Sequence, residues 1–189
     1  TSGINEVPTF QKATPILDKI NIPTIKCVDT DTSGGDYFFE DYEVGERLNH
    51  PEGITIDNSD HTLATKLYQN NAKVHFNDHM MKSTPMGQRL MYGGIIISTA
   101  RAISFNGLQN AQWVYAINSG AHANPTYAGD TIYAYTEIVE TIEVNREDIG
   151  LLRLRTIALK NQTPKEIENP KSEDGKYLPN VVLDLDYTV

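Results

Sequence analysis

"GGIIISTARAISF", Gly93 to Phe105, is the most apolar stretch of this chain, and its reading decides the fold. Ile95, Ile96, Ile97, Ala100, Ala102, Ile103 and Phe105 point nearly all round a helical wheel, so the segment predicts a helix buried on every side. It is far shorter than the roughly 18 to 20 apolar residues a membrane span needs. The helix opens on "YGG", where two glycines let the backbone turn tightly and allow close approach. Beyond Phe105 the period changes to two. "QWVYAINSG", "DTIYAYTEIVETIEV", "IGLLRLRTIALKN" and "NVVLDLDYTV" alternate β-branched and aromatic residues with polar ones, as strands do. "YAGDT", Tyr127 to Thr131, is a turn between two of them, and the charged run Asn161 to Tyr177 is an excursion before the last strand. One buried helix beside four or more long antiparallel strands is an α+β arrangement in which the curved sheet wraps around the helix.

Upstream, "DYFFEDYEVGERLNH" places aromatic and β-branched residues around a turn. In "ITIDNSDHTLATKLYQN", Asp57 or Ser59 caps a helix whose Leu63, Ala64, Leu67 and Tyr68 recur at helical spacing, so one apolar face is expected to cover something. Residues 1–35, with Pro8, Pro15, Pro23 and "DTDTSGGD", read as an extended arm or linker with little structure, leaving 36–189 as the folded domain.

Composition narrows the function. The 189 residues are 39% hydrophobic and 22% charged, enough for one good core. A net charge of −9 argues against a nucleic-acid partner, which requires basic surface, but leaves room for a small anionic ligand on a local cluster of donors. The single cysteine, Cys27, forms no internal disulfide and reads as an inert thiol in a reducing cytoplasm. No histidine and carboxylate pattern has metal-ligand spacing, so no metal is expected.

The loop "LYQNNAKVHFNDH", residues 67–79, carries the functional question. His75 is either a proton carrier, since imidazole titrates near roughly pH 6.5, or an ordinary loop histidine bonded to backbone. Asn70, just past the helix, suits a cap or a turn equally well. His50, His61 and His79 carry no spacing signal.

Taken together, the short helix, the histidine loop, the glycine-opened helix and "NPTYAGDTI" resemble the MaoC-like hydratases and dehydratases of the hot-dog fold. "DYEVGERLNHPEGITI", "LYQNNAKVHFN", "YGGIIISTARAISFNGL", "AINSGAHANPTYAGDTIYAYTEI", "LRLRT" and "VVLDLDYTV" are most similar to the C-terminal half of the mesaconyl-CoA hydratase (β-methylmalyl-CoA dehydratase) group within it. The resemblance covers residues 36 to 189. It implies reversible hydration of an enoyl-CoA, with coenzyme A as part of the substrate and no further cofactor. Proteins of that group carry two hot-dog repeats and only one is legible here, so residues 1–35 are either an inter-repeat linker or the arm of a single-repeat relative.

The family loop has aspartate, then asparagine-proline, then histidine five positions past the aspartate. His75 matches the histidine, Asn70 stands at the aspartate, and Ala72 and Lys73 at the asparagine and proline. An amide accepts no proton near neutrality, so the resemblance implies His75 alone as acid and base, with Asn70 holding the water. Gly93 and Gly94 are the candidate amide donors to the thioester oxygen, or else glycines that merely permit packing. Arg101 is either an internal salt-bridge partner or a clamp for a substrate carboxylate. Lys82, Arg89 and Lys73 are the cations available for the coenzyme A phosphates, and His122 is a candidate to line the pocket from the sheet. The partners so implied are an acyl-CoA and a second hot-dog unit, as a homodimer or an upstream repeat, with neither nucleic acid nor membrane. Two competing readings stand beside this one: a non-catalytic half that binds acyl-CoA or packs against a catalytic repeat, and an acyl-CoA thioesterase.

Overall fold

The computed structural model describes residues 23–26, 28–111 and 113–189; the linker reading up to residue 22 and the thiol of Cys27 lie outside the described residues. Five helices, α1 (Thr30–Ser33), α2 (Asn58–Leu67), α3 (Lys73–Phe76), α4 (Asp78–Met81) and α5 (Gly93–Ile103), accompany five strands. These are β1 (Arg47–Thr55), β2 (Ala116–His122), β3 (Thr131–Ile142), β4 (Leu151–Lys160) and β5 (Val181–Thr188). The strands form one antiparallel sheet in the order β1-β3-β4-β5-β2, with β1 and β2 at its edges.

Strand alternation sorts the sheet into two faces. Ile132, Ala134, Ile138, Leu152, Leu154, Ala158, Leu183, Leu185 and Tyr187 point to the inner face and pack with Ile96, Ala100 and Ile103 of α5, forming the main core. On the outer face Tyr135, Ile157, Leu159 and Val181 form a second cluster with Ile167 and the half-buried Tyr177 and Leu178. The charged excursion after β4 supplies that lid, a role its composition did not reveal.

Two expectations need correction, and one strand was not read. The chain turns at Val44 and Gly45 as expected, and β1 then passes through Pro51 and Gly53; an edge strand tolerates proline because an outward N–H there has no ladder partner, and the register slips between His50 and Ile54. In α2 the residues turned inward are His61 and Thr65, while Leu63, Leu67 and Tyr68 are 60%, 65% and 70% exposed. The apolar face therefore points away from the core. In α5 only Ile96, Thr99, Ala100 and Ile103 are fully buried, and Ser98, Ala102 and Phe105 are exposed, so the helix is covered by the sheet on one side only.

The described part of the arm is anchored. The Ile25 N–H donates to Asp148 (2.8 Å), and Arg146, paired with Asp148, donates to the Pro23 carbonyl (3.3 Å). α1 follows, with Asp29 accepting from the Asp31 N–H as its cap and Gly34 ending it at a positive φ of 72°. Among the described residues no helix is long and apolar enough to cross a membrane.

Candidate active site

The histidine loop is built by short-range turn chemistry. Asp57 caps α2 by accepting from the Ser59 and Asp60 N–H groups, while Asp60 returns the bond to the Asp57 N–H. At the other end Gln69 takes a positive φ of 50°, and Asn70 accepts from the Ala72 N–H through its side-chain oxygen (2.9 Å), turning the chain into α3. α3 then presents a half-buried His75.

The bonds around His75 fix its tautomer. Nδ1 lies 3.0 Å from the Leu90 carbonyl oxygen, which can only accept, so Nδ1 carries the hydrogen. Nε2 is left with its lone pair, and among the described residues nothing bonds it. The strip from Leu90 to Tyr92 runs beside this loop: the Leu90 N–H donates to the Val74 carbonyl (3.0 Å) and the Met91 N–H to the Thr126 carbonyl (2.8 Å). The second bond gives the "NPTYAGDT" turn its place in the site. There Tyr127 N–H donates to Asp130, and Gly129 takes the positive φ of 97° that the bend needs.

α5 begins directly after Tyr92. The Ile95 N–H reaches back to the Tyr92 carbonyl (3.0 Å), whereas the Gly93 and Gly94 N–H groups, first in the helix, have no carbonyl behind them. Rings crowd both glycines: a Cβ on Gly93 would lie 2.6 Å from Nε2 of His122, and one on Gly94 would lie 2.7 Å from the ring of Tyr92. The Tyr92 ring stands edge-on to His75 with centroids 5.8 Å apart. His122, at the end of edge strand β2, thus lies against the first residue of α5, and His75 meets the Tyr92 ring just before it. Burial pushes the His122 imidazole below its ordinary range, so it is neutral at pH 7. Beside Gly94, a cavity of about 310 Å³ is lined by Ile54, Ile56, Asp60, Ala64, Ile95 and Ser98, among others.

The cations are not gathered here. Arg101 sits eight residues after Gly93, about 12 Å along the helix, and its guanidinium turns toward the far end, donating to Ser104 and Tyr187 hydroxyls (both 3.2 Å) and to the Ala111 carbonyl (3.4 Å). It meets neither the carboxylate of a salt bridge nor the glycine end where a substrate clamp would be needed. Arg89 is held by Asn58 (3.1 Å) and Thr62 (3.4 Å), with its Nε 3.9 Å from Asp78. Lys82 pairs with the same Asp78 (2.9 Å) on the surface, and Lys73 lies exposed at the start of α3. Of the residues singled out in the sequence, His122 lies against Gly93 and His75 meets Tyr92 just before it, while Gly94 lines the cavity and neither histidine does.

No protein-family model matches the chain. Over 187 residues it is 46% identical to the β-methylmalyl-CoA dehydratase of Chloroflexus aurantiacus, covering 97% of this chain and 53% of that protein. Over 159 residues it is 50% identical to the mesaconyl-CoA hydratase of Cereibacter sphaeroides, covering 84% and 45%. A crystal structure of a MaoC-domain dehydratase from Chloroflexus aurantiacus superposes with a TM-score of 0.90 at 46% identity, over 97% of this chain and 53% of that one. The chain is a MaoC-like hot-dog domain. A double hot-dog protein of Mycobacterium tuberculosis, 23% identical with a TM-score of 0.54 over 77% of this chain and 38% of its own, shares the fold alone. The hot-dog domain described here spans about half the length of the curated relatives it matches.

Within this MaoC-like domain, the aspartate-to-asparagine departure at residue 70 has a visible consequence. The Asn70 oxygen serves the turn into α3 rather than His75. Sequence reasoning also missed His61, which is 1% exposed and bridges the two halves of the site. Its only signal was negative: a histidine on the face of α2 where an apolar residue was expected.

Proposed function

We propose that this hot-dog domain supplies the water-adding site of a hydro-lyase that interconverts mesaconyl-CoA and β-methylmalyl-CoA, coenzyme A entering as part of the substrate and no separate cofactor taking part. The observation that carries this reading is the bare Nε2 of His75, whose ring meets the Tyr92 ring directly before the unpartnered first-turn amides of α5. The thioester oxygen accepts from the Gly93 and Gly94 N–H groups, which draws charge toward it as water attacks. His75 Nε2 takes a proton from the water while the water oxygen bonds to the β-carbon, and the π electrons move onto the thioester oxygen. The same Nε2–H then returns its proton to the α-carbon and the carbonyl reforms. Water is added with both atoms delivered from one face, and the reverse sequence is dehydration. The cavity beside Gly94 accommodates the acyl part. Lys73 and Lys82, exposed at the surface, reach for the phosphates of coenzyme A, whereas Arg89 is held by Asn58 and Thr62, and His122 closes the wall at Gly93.

Assembly belongs to the same reading. β2 is an edge strand, and Phe105, Trp113, Val114 and Ile117 around it are all at least half exposed. Such an edge pairs with a second hot-dog unit, as a homodimer or an upstream repeat.

One observation favours a second reading, a non-catalytic half that holds acyl-CoA for a catalytic repeat: neither Asn70 nor Asp78 offers His75 a carboxylate, since Asn70 serves the turn and Asp78 pairs with Lys82. Thioester hydrolysis, which wants a carboxylate to activate water, is weakened at His75 by the same facts, and the Asp60 carboxylate on the cavity wall is bonded to the Asp57 N–H. Incubation of the chain with mesaconyl-CoA and with crotonyl-CoA separates the three. Loss of enoyl absorbance supports hydration, free thiol means hydrolysis, and binding without either means a passive half.

A further inference from the structure

His61 lies outside the loop and outside the glycine turn, yet it is bonded to both. Its Nδ1 accepts from the Tyr92 N–H (3.1 Å), so its hydrogen is on Nε2, which donates to the His75 carbonyl. The opposite tautomer could make neither bond. With Leu90 these contacts close a circuit: His61 to the His75 backbone, the His75 ring to the Leu90 carbonyl, Leu90 along the chain to Tyr92, and Tyr92 back to His61. Every other member belongs to one of the two segments that present the chemistry. His61 adds to the direct His75–Leu90 and Leu90–Val74 bonds a tie from outside both segments, anchored on α2, a capped helix of ten residues.

We propose that His61 is a positioning residue, locking the His75 imidazole in register with the Gly93 and Gly94 amides; this rests on the hydratase reading above. Burial holds His61 below the ordinary histidine range, against the opposing pull of its bond to the His75 carbonyl and with help from the Arg89 guanidinium, in the neutral form the circuit requires. Removing it leaves a Tyr92 N–H and a His75 carbonyl without partners and leaves the two segments tied only at Leu90, so that Tyr92 and the glycines after it can shift against His75. A misplacement of about 1 Å at a reacting centre costs on the order of 100-fold in rate.

The test compares His61→Leu with His61→Gln, whose amide can accept from Tyr92 and donate to His75. With mesaconyl-CoA, His61→Leu should lose roughly 100-fold in kcat with KM changed far less, and His61→Gln should recover to within roughly tenfold of wild type. A folded His61→Leu protein with full kcat overturns the proposal, as does a Gln variant no better than Leu. Two measurements on the unmutated chain need no turnover and survive any folding defect of the variants. Nitrogen-15 spectra at pH 8 should show His61 protonated on Nε2 and His75 on Nδ1, and the Tyr92 amide should exchange slowly. A His61 protonated on Nδ1, or a fast-exchanging Tyr92 amide, overturns the tie. If the chain hydrates no enoyl-CoA yet passes both, the hydratase reading fails and the tie stands.

Discussion

The outer face of β3, β4 and β5 and the mouth between α2, α3 and α5 are built on opposite rules. On the outer face, charges are paired across neighbouring strands. Arg155 grips Asp184 through two bonds (2.9 and 2.8 Å), Arg153 grips Asp186, and the Tyr177 hydroxyl donates to Asp184 (2.9 Å). The apolar cluster beside this ladder is sealed by the excursion after β4. At the mouth, apolar side chains of α2 stand in solvent, two helix amides lack acceptors, and an imidazole nitrogen keeps its lone pair. Polar groups left unbonded and apolar groups left uncovered both cost stability. The contrast separates a face whose groups are satisfied within the domain from one that leaves polar and apolar groups unsatisfied, which is where the proposed function places its ligand.

The sharpest way to break the comparison is a substitution that removes function and leaves the fold. His75→Ala should lower kcat by roughly a thousandfold with an unchanged melting temperature, while Asn70→Ala, which removes only a turn bond, should lower it far less. Steady-state rates on mesaconyl-CoA with a thermal melt of each variant decide this, and a fully active His75→Ala protein would end the mechanism. The converse is Leu154→Ala. That side chain is wholly buried under α5, and its truncation should cost about 3 kcal/mol in chemical denaturation with normal kcat per folded molecule.

An intermediate effect comes from acid. His50 is wholly buried, with Nε2 3.0 Å from the Thr136 hydroxyl, and burial pushes its pKa down to about 4. The unfolded chain takes up that proton near pH 6.5 and the folded chain does not, so stability should fall as pH drops from about 6.5 to about 4, then level off. The His50 contribution is roughly 3 kcal/mol. Denaturation at pH 7, 5.5 and 4 should show the slope, and His50→Gln should flatten most of it. His61 and His122, lowered in the same direction, leave a remainder. An undiminished slope in His50→Gln would assign the effect elsewhere. The smallest change is expected at Lys82, which is 68% exposed beside Asp78. Lys82→Ala should leave the denaturation midpoint where it is and raise KM for the CoA thioester by roughly two- to threefold, an increment that high salt should erase.

Much of this was legible in the residues. Gly93 to Phe105 read as the helix against the core and the four period-two runs as strands, because each signal is carried by neighbours in sequence. The loop that presents His75 and the two opening glycines were equally plain. β1 was not, since Pro51 and Gly53 argue locally against a strand and only the edge position makes them harmless. Nor was the outward turn of Leu63, Leu67 and Tyr68, because periodicity tells which residues share a face and not what that face meets.

By itself, then, the sequence determined the alternation of helix and strand, the turns, and the loop on which His75 stands, all properties of contacts within a few residues. The tertiary structure alone decided that Arg101 turns from the glycine end toward Tyr187, that His122 comes to rest against Gly93, and that His61 joins His75 to Tyr92. Those three outcomes depend on partners up to 86 positions away, where no local pattern reaches and only packing brings donor and acceptor together.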